Sequence, residues 1–219
     1  LIASGFPVSL TIGGLSMLLA VLFGSAFGII AALRQNRPTD YAVMTVAMTG
    51  ISIPNFVIAP LLILLFAVTL GWLPAGGWDG DGLGKVVMPV IALALPQIAY
   101  ISRLVRGSMI EVLRSNFIRT ARAKGLSETR IILRHALRPA FLPVLSYLGP
   151  ASAAVITGSV VIEKIFGIPG LGRYFVQGAL NRDYTLVMGV VVFYGMLIIV
   201  FNFIVDLLYG ALDPKVRYD

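Results

Sequence analysis

The sequence predicts an all-α integral membrane protein with five membrane-spanning helices, and three observations carry that prediction. Hydrophobic residues make up 58% of the chain and charged residues 12%, where a water-facing globular protein carries roughly 25% charged residues. Five apolar stretches, at about 8–33, 41–73, 86–113, 139–162 and 185–210, reach the ~20 residues that a helix needs to cross a hydrocarbon core. The cations crowd into one region, Arg103 to Arg138, which the positive-inside rule assigns to the cytoplasm. The whole of residues 1–219 then reads as one transmembrane domain without a soluble module or an internal repeat.

The first span carries no charge and contains Gly24-Ser25-Ala26-Phe27-Gly28. Small residues four apart let a second helix approach closely, and that helix belongs either to another subunit or to this chain. Arg34 and Arg37 follow, and Pro38 stops the helix. The second span is interrupted by Pro54 and Pro60. A proline inside a span frees a backbone carbonyl, so Pro54 with Asn55 marks either a polar pathway or a packed kink.

The loop from Gly71 to Gly82 holds Trp72 and Trp78, two acids, and no cation before Lys85. It is expected outside. Its Asp79-Gly80-Asp81-Gly82 lacks the further oxygen ligands and closing Glu of a calcium loop, so a turn is expected. The third span includes Pro89, Pro96 and Gln97 and leads into the basic region.

That region centres on Ser115-Asn116-Phe117-Ile118-Arg119-Thr120-Ala121-Arg122-Ala123-Lys124-Gly125-Leu126-Ser127. Small side chains alternate with bulky and cationic ones, Gly125 stands where a left-handed residue ends a helix, and Ser127 with Glu128 is placed to cap the next. The expected product is a short docking helix between two turns, covering the coupling region 114–138.

The fourth span contains Ala151-Ser152-Ala153-Ala154 and Thr157-Gly158-Ser159. Such residues line a watery route or permit tight packing; Asn55, Gln97, Ser152, Thr157 and Ser159 are the pathway candidates. The following segment, 163–184, is rich in glycine and proline around Phe166-Gly167-Ile168-Pro169-Gly170-Leu171-Gly172, then turns apolar at Phe175 and Val176, which suggests a hairpin dipping into the outer face. The fifth span ends at Asp213-Pro214-Lys215 in the cytoplasm.

Composition and motifs exclude several functions. With no cysteine, neither a disulfide framework nor a thiolate metal site is available. The net charge of +7 sits beside membrane-length apolar runs, so it sets topology rather than addressing nucleic acid. With the apolar part of the third span taken as about Val86 to Ser102, the spans hold no Asp, Glu, His, Lys or Arg near their middles; Asp206 is close to an end and His135 lies in the basic region. A proton relay is therefore disfavoured. No Gly-x-x-x-x-Gly-Lys-Ser/Thr loop, His-Glu-x-x-His pair or activated nucleophile is present, which argues against ATP binding and hydrolysis in this chain. A polar-lined path with a docking helix and no motor calls for a motor supplied by another subunit.

The run Arg119-Thr120-Ala121-Arg122-Ala123-Lys124-Gly125-Leu126, continued by Ile131 to Ala140, resembles the "EAA loop" of binding-protein-dependent ABC importer permeases. Arg119-Thr120-Ala121 stands in place of Glu-Ala-Ala, and Gly125 keeps the register of four residues after the last Ala. The departure is usual in the peptide and nickel branch, which Gly50-Ile51-Ser52-Ile53-Pro54-Asn55-Phe56 and Leu212-Asp213-Pro214-Lys215-Val216-Arg217-Tyr218 also resemble. The resemblance covers nearly the whole chain and is greatest to the B-type permease subunits of oligopeptide importers.

It implies a type I ABC importer permease fold in a bacterial inner membrane. The implied partners are a homologous second permease, two ATP-binding cassette subunits that hold ATP and Mg, an external binding protein, membrane lipid and a peptide substrate. It implies that residues 117–125 meet the ATPase, with Phe117, Ile118 and Ala121 as apolar contacts, Arg119, Arg122 and Lys124 as charged ones, Thr120 and Ala123 between them, and Gly125 as the turn. It implies an external scoop at Phe166, Gly167, Pro169, Gly170 and Gly172 near the docked binding protein. The start at Leu1, without an initiator Met, leads to the expectation of one further N-terminal helix, six in all. Dipeptide, glutathione, murein-peptide and nickel permeases share these motifs. A stand-alone channel, a secondary carrier and a membrane scaffold are the readings from other classes.

Overall fold

In the computed structural model, residues 1–78, 84–157 and 160–212 are described. Ser159, the Asp79 to Gly82 turn and the Asp213-Pro214-Lys215 terminus lie outside the described residues. All regular structure among the described residues is helical. Four helices, α1 (Ile2–Leu33), α4 (Gly84–Leu113), the Leu142–Ile165 stretch and α11 (from Tyr184 to Leu212), are long and apolar enough to cross a membrane, and a bent pair makes a fifth.

The bent pair is α2 (Pro38–Ser52) and α3 (Asn55–Leu62), which continues as a π-helix over Ile63–Thr69. The two halves meet at 101°. Pro54 places the break. The ring of Pro54 forces Ile53 out of the helical region, and Ile53 sits at φ −104° and ψ 121°. Pro60, by contrast, stays inside α3, and the chain widens into π geometry just after it, where Leu70 N donates to Leu65 O. Pro38 does not stop the first helix as expected. α1 ends at Leu33, Asn36 turns with φ +60°, and Pro38 opens α2 at the position where a missing N–H costs nothing.

Direction alternates along the chain. Gly24 and Gly28 pack α1 against Ile101 and Val105 of α4, so the two helices run parallel; an added Cβ would lie 2.8 and 2.6 Å from those side chains. The small-residue pair thus serves packing within the chain. Gly50 of α2 meets Leu95 midway along α4. α8 (Leu142–Ile156) runs opposite to α1, with Gly13 against Ile156, and continues toward α9 (Val160–Ile165). α11 returns parallel to α1, since Phe193 meets Phe6 at 5.2 Å while Tyr209 donates to Leu142 O at the other end.

This up-and-down order yields two apolar cores stacked along the helix axes. One, at the far end, joins Val8 and Ile12 of α1, Met88 of α4, Ile58 of α3, and Ile162, Phe166 and Ile168, with Trp78 packed against it. The other, at the basic end, joins Ala32 of α1 and Val105 and Met109 of α4 to Ile118, Ala121, Ile131 and Ala136. α11 is largely outside both. Only 6% of its most apolar window is buried, against 44% for the other three spans, so its Met188, Met196, Ile199 and Phe203 face outward.

Candidate functional site

α4 runs on past the apolar zone to Leu113, and a turn at Arg114-Ser115 sets up α5 (Asn116–Ala123). The turn is tied by Ser115 Oγ donating to Val112 O at 2.6 Å, so this serine braces the previous helix instead of capping the next. α5 ends in a Schellman motif. Gly125 N donates to Arg122 O, Leu126 N donates to Ala121 O, and Gly125 takes φ +76°.

The apolar residues of α5 divide in a way its short sequence does not announce. Ile118 and Ala121 are buried in the basic-end core with Met109 and Ile131, so they hold α5 to its own chain and are not free to contact an ATPase. Phe117 is 51% exposed. The outward surface therefore consists of Asn116, Phe117, Arg119, Thr120, Arg122, Ala123, Lys124 and Gly125. The physical reason is the 3.6-residue period: positions 118 and 121 share one face, and the rest turn away from it.

Beyond Gly125, α6 (Glu128–Arg130) begins. Ser127 occupies the N-cap position with extended backbone but makes no side-chain capping bond, contrary to expectation. Glu128 reaches back instead, accepting from Arg122 Nε at 2.7 Å and from its NH2 group at 3.2 Å. The Arg122 hydrogen bond holds the Glu128 carboxyl below its ordinary range. A π-helix over Ile131–Ala136 and the short α7 (Leu137–Ala140) lead into α8.

A second feature at this end has no counterpart among the sequence expectations. Asp40, only 1% exposed, accepts two bonds of 2.7 Å from Arg106 and one of 2.9 Å from Asn36 N. The pair ties the start of α2 to α4, and Arg114 adds a bond of 3.1 Å to Gln35 on the intervening turn. Asp40 in the first turn of a helix, 66 residues from its partner, carries no local signal beyond its favourable place near a helix N-terminus.

The pathway candidates are scattered. Gln97 accepts a bond of 2.5 Å from Tyr147, whose ring packs on Tyr100, so its carbonyl faces α8. Thr157 closes α8 and donates to Ala154 O at 3.2 Å. Ser152 is half-buried on α8, and Asn55 opens α3 beside the bend. Neither the groove at the bend, lined by Val46, Thr49, Gly50, Ile53, Ile58 and Leu95, nor the α1–α4 groove lined by residues such as Leu15, Leu19 and Val90 includes any of the four.

At the far end the 163–184 segment forms a helical hairpin. Glu163 belongs to α9 and does not open the loop as expected. Phe166 is buried, its carbonyl accepts from Gly77 N at 2.7 Å, and Gly167 turns the chain at φ +65°. The chain then folds through Pro169 and Gly170 into α10 (Gly172–Leu180) and reverses at Arg182 into α11. The signal for a buried Glu163 lies in its neighbours: a lone carboxylate after Val160-Val161-Ile162, followed by glycines whose N–H groups have no side chain to shield them.

The family model described as "Binding-protein-dependent transport system inner membrane component" matches residues 24–218. The oligopeptide transport system permease protein OppB of Escherichia coli (strain K12) is 60% identical over 218 residues, covering 100% of this chain and 71% of the relative. The dipeptide transport system permease protein DppB of Bacillus subtilis (strain 168) is 51% identical over 213 residues, 97% of this chain and 68% of its own length. Among solved structures, an inward-facing MetNI methionine ABC transporter chain superposes with TM-score 0.75 at 18% identity, over 97% of this chain and 96% of that one. A chain of an amino acid ABC transporter gives 0.71 at 19%, over 96% and 94%. At such identities the likeness is one of fold. Match, relatives and helical order agree, and the chain belongs to the binding-protein-dependent transport system inner membrane components.

Proposed function

We propose that this chain is the permease subunit of an ABC importer for oligopeptides, working by alternating access with a homologous second permease. The observation that carries the reading is α5: a short helix outside the spans, anchored by Ile118 and Ala121, presenting Phe117 and cations outward in a chain 60% identical to OppB. The basic end faces the cytoplasm by the positive-inside rule, so the far end with Trp78 and the 166–172 loop faces outward. Two separate ATPase subunits, holding ATP and Mg, press on α5. Because α5 shares one core with the ends of α1 and α4, its displacement moves those helices as packed bodies. The path itself runs between the two permeases, which fits the dispersal of polar candidates along surfaces of this single chain. The external binding protein delivers peptide at the far end.

Co-purification from native membrane tests the assembly, and ATP-dependent uptake of labelled tri- to pentapeptides into proteoliposomes tests the cargo. Expected is uptake that needs ATPases and binding protein together. Uptake by the chain alone would establish a carrier instead. Preference for dipeptides would favour the second reading, which the 51% identity to DppB keeps in view.

A further inference from the structure

Glu163 is 6% exposed at the far end, in α9, and both oxygens of its carboxylate are engaged. Oε1 accepts from Ser9 Oγ of α1 at 2.8 Å, and Oε2 accepts from Gly172 N at 2.9 Å. Ser9 Oγ in turn accepts from Leu171 N at 2.9 Å, and the Glu163 backbone carbonyl accepts from Ile168 N at 2.8 Å. The Glu163 carboxylate therefore holds the backbone at Gly172 directly and at Leu171 through Ser9, while its backbone carbonyl holds Ile168. Gly170 is pressed against it so closely that an added Cβ would lie 2.1 Å from Oε1.

Such a loop has no sheet or long helix to hold it, and its N–H groups would otherwise turn to water or to each other. A carboxylate fits because it accepts several bonds and donates none, so donors can converge on it from α1 and α10 at once. A glutamine of the same length has one accepting oxygen in place of two and no charge.

We propose that Glu163 is a positioning residue for receptor engagement, its carboxylate fixing the largely buried 167–172 turn and with it the exposed Lys164, Arg173 and Gln177 at its border, which the external binding protein meets. The inference rests on the importer reading above. Lys164, Arg173 and Gln177 border the turn, are exposed and line one groove with Glu163, and Arg173 rests on the Tyr174 ring beside it. Preorganisation of this kind lowers the cost of ordering a surface at the moment of binding, so its loss weakens association more than it alters the later steps of transport.

The test uses the assembled transporter in nanodiscs, with ATP hydrolysis measured against the concentration of its peptide-loaded binding protein. For Glu163→Gln, which leaves one accepting oxygen where the carboxylate has two, the half-saturating concentration should rise roughly tenfold with the maximal rate held. Ser9→Ala should give a smaller rise. Because the chain contains no cysteine, nitroxide pairs introduced at Thr11 and Gln177, and at Arg34 and Arg130 as a control, report the two ends separately. In Glu163→Gln the first pair should broaden and the second should stay as in the wild type. An unchanged half-saturation, an unchanged first pair, or broadening of both pairs would each overturn the proposal. A wild-type complex that no peptide-binding protein stimulates would instead overturn the importer reading, and the nitroxide pairs would still decide the role of Glu163 in the loop.

Discussion

At the scale of single residues, backbone handedness and buried charge do most of the work. Gly125 holds φ +76° with open space around its Cβ position, so a substitution there is opposed by strain and not by a clash. A β-branched residue in this region costs about 1–3 kcal/mol. Gly125→Val should therefore tilt or fray the end of α5 and lower the ratio of peptide imported to ATP hydrolysed, whereas Gly125→Asn, which tolerates the left-handed region, should keep most of it. Transport and hydrolysis measured on the same vesicles decide between them.

The Asp40–Arg106 pair poses a different case. Removing Arg106 leaves a carboxylate that is 1% exposed with only the Asn36 N–H, and Arg106→Ala should cost about 3 kcal/mol. The double replacement Asp40→Leu with Arg106→Met removes both charges and should recover most of that loss. The melting temperature of the solubilised complex is the measurement.

The element that matters most is α5, and its two faces make opposite predictions. Ile118 is fully buried, so Ile118→Ala should destabilise the basic end by about 2–4 kcal/mol and reduce the amount of assembled complex. Phe117 points outward, so Phe117→Ala should leave the isolated chain's melting unchanged while weakening its association with ATPase subunits, measured by co-purification. Equal effects of the two substitutions on melting would contradict the division of faces. The bent α2–α3 pair shows the same dependence on local chemistry, because Pro54 restricts Ile53 directly, while Pro60 is accommodated by a π segment. Both prolines are visible in the sequence as interruptions; which one bends the chain is not, since the answer depends on whether later carbonyls find new donors.

For the whole molecule, the two stacked cores put Trp78 and α5 at opposite ends. Single cysteines at Trp78 and at Lys124 should thus be labelled by an impermeant maleimide from opposite sides of sealed, oriented vesicles. Labelling of both from one side would remove the basis for coupling across the membrane. The largely unburied α11 contributes little to either core, so truncating one of its outward side chains, such as Ile199, should not alter folding of the chain by itself.

Much of this arrangement was legible in the amino acids. Apolar length and the placement of arginines fix how many spans form and which end is basic, because hydrocarbon thickness and charge transfer act on local composition. Gly125 announced its turn for the same reason: handedness is a property of one residue and its neighbours. What only the tertiary structure decided is which partner each residue meets. Ile118 and Ala121 turn inward, the Gly24 and Gly28 pair meets α4, Asp40 finds an arginine 66 residues away and Glu163 finds a serine 154 residues away. Those choices depend on three-dimensional packing between distant segments, and no local pattern of polarity encodes them.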